Sequence, residues 1–155
     1  MRNLSEIIRV YNLSLDKLYQ IARFLNIEVD LDVLLVESET LYEFHQLTER
    51  PYHIGAVYTD GVIVTQPFDI LIKKDLLEQT IVHELLHHMF HKNFDMPKWF
   101  EEGLILYLTG ERLENLKGEH RVYLDRFMRE VSYEDIPNLV SRYRNDNGAH
   151  GDLGP

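Results

Sequence analysis

Ile81-Val82-His83-Glu84-Leu85-Leu86-His87 places two histidines four residues apart, with a glutamate directly after the first. The surrounding segment, Asp75 to His91, reads as the strongest helix of the chain, and on a helix residues i and i+4 share a face. Both imidazoles can therefore converge on one ion, which a zinc–nitrogen distance of about 2.0 Å requires of a rigid backbone. Glu84 stands one step round the helix, placed to take a proton from water activated by that ion, which is the task of a general base. Two histidines leave a metal under-liganded. The candidate third ligand is Glu102, within Trp99-Phe100-Glu101-Glu102-Gly103, on a separate helix expected from Pro97 or Lys98 to Leu108 and ending near Gly110. Three protein ligands would leave one position open, as a catalytic zinc site needs.

Composition narrows the chemistry. The chain has 155 residues, the length of one domain, and contains no cysteine, so disulfides and thiolate metal sites are excluded. A transition metal must then be held by imidazole and carboxylate. The net charge of −10 argues against nucleic acid or an anionic membrane surface as the main partner. The N-terminal twenty residues lack the apolar stretch of a signal peptide, and no apolar run is long enough to span a bilayer. The expected location is cytoplasmic.

Outward from the motif, Asn3 to Val10 and Ser14 to Leu25 read as amphipathic helices, the second with Leu15, Leu18, Tyr19, Ala22 and Leu25 on one face and Ser14 as N-cap. Val33 to Val36 has the pattern of a buried strand, and Thr40 to Thr48 that of a helix. Two strands, through Ala56-Val57-Tyr58 and Val62-Ile63-Val64, flank Asp60-Gly61, a strong hairpin signal. Asp69 to Ile72 reads as a further short strand. Glu119 to Val131 and Ile136 to Tyr143 read as helices. Helices, then a β-rich stretch, then helices only, is the order of an α+β protein. The expected organisation is an N-terminal helical segment over 1–30, a main domain over 31–144 and a flexible tail over 145–155.

The two quoted segments, His83-Glu84-Leu85-Leu86-His87 and Pro97-Lys98-Trp99-Phe100-Glu101-Glu102-Gly103-Leu104, resemble the gluzincin zinc metallopeptidases. They are similar in particular to the peptidase-MA-like branch and to its minimal stand-alone members, the minigluzincins. The resemblance covers Ile81 to Tyr107 and implies Glu102, not Glu101, as third ligand. It implies a zincin-like α+β fold: a small twisted mixed sheet with an active-site helix, then a helical C-terminal subdomain. It also implies zinc as cofactor, Glu84 as catalytic base and a peptide or protein as substrate. Ala56, Val57 and Tyr58 sit where such proteins carry an edge strand that binds substrate through backbone hydrogen bonds; as one arm of a hairpin they need no such role. One departure is Leu106, where some gluzincins have a carboxylate supporting a histidine ligand.

Other polar residues have plainer readings. His88 is rotated off the ligand face, and His91 is too far along the helix to share the sphere of His83. A metzincin would need glycine and histidine where Phe90 and Asn93 stand. Tyr123, Tyr133, His120 and Arg121 are all potential donors to a developing oxyanion. His150 and Asp152 in the tail are potential ligands that could fill the open metal position and hold the enzyme latent. Two rival readings are a non-catalytic zinc protein, which would have no use for Glu84, and a regulatory protein joining a helix-turn-helix to a metallopeptidase-like domain. Thirty N-terminal residues and an acidic charge oppose the latter.

Overall fold

The computed structural model describes residues 2–145; the tail positions His150 and Asp152 lie outside them. In chain order the elements are α1 (Leu4–Val10), α2 (Asp16–Leu25), β1 (Leu34–Glu37), α3 (Leu41–Thr48), β2 (Ala56–Thr59), β3 (Val62–Thr65), α4 (Phe68–Lys73), α5 (Leu77–Asn93), α6 (Lys98–Leu108), α7 (Gly118–Glu130) and α8 (Ile136–Ser141). The chain is an α+β protein with one small mixed sheet among the described residues. None of its described helices is long and apolar enough to cross a membrane. Two compact units divide the described residues: those up to Asp16 with Asp30–His88, and Lys17–Val29 with those from Met89 to Asn145.

The first unit holds the sheet, in the order β1-β3-β2. β1 runs parallel to β3, with Leu35 opposite Ile63, and β2 runs antiparallel to β3, with Val57 opposite Val64. Asp60 and Gly61 both take positive φ, 47° and 81°, the pair of left-handed conformations that a two-residue type I′ hairpin demands. β1 departs from a strand buried on both faces: Leu35 is fully buried but Leu34 is 50% exposed. Only one face of this sheet meets the core, so a period of two replaces the continuous apolar run. The outer edge of β1 is met by Arg2, whose N–H donates to the Leu35 carbonyl at 2.9 Å.

The segment read as a strand over Asp69 to Ile72 is instead helix α4. Pro67, with φ −53°, sets the helix entry, and the Glu37 carboxylate accepts from the Phe68 N–H at 2.8 Å. Phe68 and Leu71, three apart, are both buried, which is a helical period. Thr40 caps α3 by accepting from the Glu43 N–H at 3.0 Å, and Phe44 is the residue of that helix that enters the core.

The second unit is helical among its described residues. α2 buries Leu18, Ile21, Ala22 and Leu25, whereas Tyr19, expected on that face, is 48% exposed. Ile21 takes its place because 18, 21, 22 and 25 follow the 3.6-residue period more closely. α6 and α7 pack closely: a Cβ on Gly103 would come 2.7 Å from the Phe127 Cβ and 2.9 Å from the Tyr123 carbonyl. The Phe100 ring lies between those of Phe127, at 5.5 Å, and Tyr143, at 5.1 Å. Arg144 closes the unit, donating to the Asn26 carbonyl at 2.9 Å.

Candidate metal and catalytic site

α5 carries the H-E-x-x-H motif. Ile81, Val82, Leu85 and Leu86 bury its apolar positions, so the helix is fixed along its length by hydrophobic burial. His83 and His87 are half-buried, and their rings lie 5.1 Å apart between centroids, one above the other on one face. Glu84 between them is only 6% exposed. A carboxylate so withdrawn from water needs polar company or a function, because burial of an unsolvated charge is costly.

The strand side of the first unit approaches the same helix. Gly55, directly before β2, lies against α4 and α5: a Cβ there would sit 3.2 Å from both the Leu71 methyl and the Thr80 hydroxyl. Thr80 is one turn before His83. Ala56 is buried, and Val57 and Tyr58 are half-buried. β2 is the end strand of the sheet order, so among the described residues no strand pairs with its outer edge. The Tyr58 hydroxyl accepts from the Gly61 N–H at 2.9 Å and lies 2.8 Å from His88 Nδ1. His88 Nε2 is in turn 3.3 Å from the Asp30 carboxylate. His88 is thus engaged away from the His83–His87 face, as its place on the helix implies.

In the second unit, α6 presents the acidic pair. Both Glu101 and Glu102 are 8% exposed. Each faces an imidazole: Glu101 Oε2 is 2.9 Å from His91 Nε2, and Glu102 Oε1 is 3.1 Å from His120 Nε2. Solvated acids near a helix N-terminus would not be buried so deeply. Beside the His91–Glu101 pair lies an open cleft of about 450 Å³, also lined by Phe94, Asp95 and Tyr143. Trp99 is held by the Arg126 guanidinium, 3.7 Å above its ring centroid.

Of the four possible oxyanion donors, Arg121 donates to the Leu113 carbonyl and Tyr133 stacks on Phe24, while Tyr123 is half-buried on α7. His120 alone among them lies against a carboxylate of the motif. The sequence held no spacing signal for that pair, nor for Asp30–His88–Tyr58, because both join segments distant along the chain. Compared with protein-family models, with curated proteins and with solved structures, the chain returns no match.

Proposed function

We propose that the protein is a zinc-dependent peptidase of the gluzincin type with a zincin-like fold. The observation that carries this reading is Glu84, a buried carboxylate directly after His83 on the helix that brings the His83 and His87 rings together. A site that only stapled the fold would use the histidines and gain nothing from that acid. The donor set suits zinc: imidazole nitrogens from His83 and His87, a carboxylate from Glu102, and no competing thiolate in the chain. The assignment of Glu102 rests on its place in the Pro97 to Leu104 segment and is supported by its burial.

Zinc, when bound, supplies a Lewis acid that polarises a carbonyl and lowers the pKa of water. Glu84 then accepts the proton of the attacking water and delivers it to the leaving amine. β2 receives the peptide: its outer edge offers the backbone of Ala56, Val57 and Tyr58 to an extended substrate, which joins as an added strand. That mode reads backbone more than side chain, and the substrate class is a peptide or protein in extended form. A cytoplasmic location belongs to the same reading.

The test is metal analysis of the purified protein together with cleavage of a peptide library, for the parent chain and Glu84→Gln. The expected result is one zinc in both, with hydrolysis by the variant lower by at least about 10²-fold, the usual contribution of a general base. Equal rates in the two proteins would remove Glu84 from the mechanism, and absence of zinc from both would end the metallopeptidase reading.

A further inference from the structure

We infer that His120 is a positioning residue that orients the Glu102 carboxylate toward the metal. The inference rests on the reading of Glu102 as a zinc ligand and adds a residue that the motif does not contain. His120 Nε2 lies 3.1 Å from Glu102 Oε1, and the two side chains are 28% and 11% exposed, so water competes little for the contact. A ring N–H donated to one carboxylate oxygen occupies part of its acceptor capacity and fixes the carboxylate plane. The carboxylate is then presented in one rotamer and need not be ordered when the ion arrives.

The fold builds this contact through Gly103. Because a Cβ at 103 would lie 2.9 Å from the Tyr123 carbonyl and 2.7 Å from the Phe127 Cβ, α6 and α7 touch at a position that tolerates no side chain. His120, Tyr123 and Phe127 fall at i, i+3 and i+7, one face of α7. Phe127 is fully buried, with the Phe100 ring at 5.5 Å and the Tyr107 ring at 5.4 Å. The approach of the two helices is therefore set by packing one residue beyond Glu102, and it delivers the imidazole to the carboxylate. Leu106, one turn further along α6, is buried and aliphatic and offers no polar support of its own.

A merely structural ion pair would affect the stability of the metal-free chain and leave metal affinity alone, and the experiment separates the two. Zinc affinity is measured by competition with a chromophoric chelator for the parent chain, His120→Ala and His120→Gln, with metal-free melting curves alongside. Cobalt-substituted protein gives a visible spectrum that reports coordination number. His120→Ala is expected to bind zinc about 10- to 100-fold more weakly, the usual effect of losing such a partner. His120→Gln, whose amide can place a donor near the position of Nε2, should recover most of that loss and also serves if the alanine variant fails to fold. The cobalt spectra of all three should have the same band shape. Unchanged zinc affinity in His120→Ala overturns the inference. So does a change of cobalt coordination number, which would make His120 a ligand itself. A parent chain that binds no zinc overturns the metallopeptidase reading first, and is distinguishable because the loss precedes any substitution.

Discussion

The Tyr58 hydroxyl lies 2.8 Å from His88 Nδ1, which joins the end strand of the sheet to the residue directly after the second histidine of H-E-x-x-H. The same oxygen accepts the Gly61 N–H, so one phenol holds both the hairpin turn and the helix. Tyr58→Phe keeps the ring and removes both bonds. It should lower unfolding free energy by about 1–3 kcal/mol, the cost of leaving partly buried polar groups unsatisfied. Urea denaturation of the two proteins checks this; coincident midpoints would mean that water replaces the phenol without loss.

Gly103→Ala opposes two effects of known size. Alanine is favoured over glycine inside a helix by up to about 1 kcal/mol. Against this, its methyl would overlap the Phe127 Cβ and the Tyr123 carbonyl, and one of these is backbone that cannot swing aside. Overpacking of this kind costs about 1–3 kcal/mol, so the clash should win and the melting temperature should fall. A rise in melting temperature would show that α7 can retreat from α6 at little cost.

Glu101 and Glu102 are adjacent and equally buried, yet the proposed roles differ. Glu102→Ala should weaken zinc binding sharply, because it removes one of three protein ligands. Glu101→Ala removes a partner of His91, whose side chain is 52% exposed, and should leave zinc affinity close to that of the parent. Isothermal titration of both variants decides between the residues, and the reverse order of effects would reassign the third ligand to Glu101.

Latency through the tail is tested by truncation, and the structure fixes where to cut. Removing everything after Tyr143 would also remove Arg144, which donates to the Asn26 carbonyl and lies over the Phe94 ring. The cut belongs after Asn145. If His150 or Asp152 holds the metal position, the shortened chain should be more active at matched zinc occupancy, and the tail added as a peptide should inhibit it. Equal activities would assign the tail no inhibitory part.

What the sequence yielded was local. The hairpin follows from Asp60-Gly61, whose left-handed conformations few other pairs tolerate, and α5 follows from a long run whose identity as a helix its length decides. α4 was hidden because a six-residue helix and a short strand bury similar apolar residues, and only the flanking Pro67 and the carboxylate of Glu37 tip the choice. The two histidine–glutamate pairs and the Asp30–His88–Tyr58 chain depend on tertiary packing. A glycine in Glu-Gly-Leu reads from sequence as a poor helix former, and its purpose, to let α7 approach, exists only once both helices are packed.

α5 bears apolar side chains over much of its circumference, with Ile81, Val82, Leu85, Leu86, Met89 and Phe90 all buried. Middle turns so well buried are expected to resist fraying, and their amide protons to exchange with solvent only through large openings. In deuterium oxide the amides from Ile81 to Phe90 therefore belong with the slowest of the molecule. Such protection would keep the spacing of the histidine pair through the fluctuations that loosen loops and chain ends.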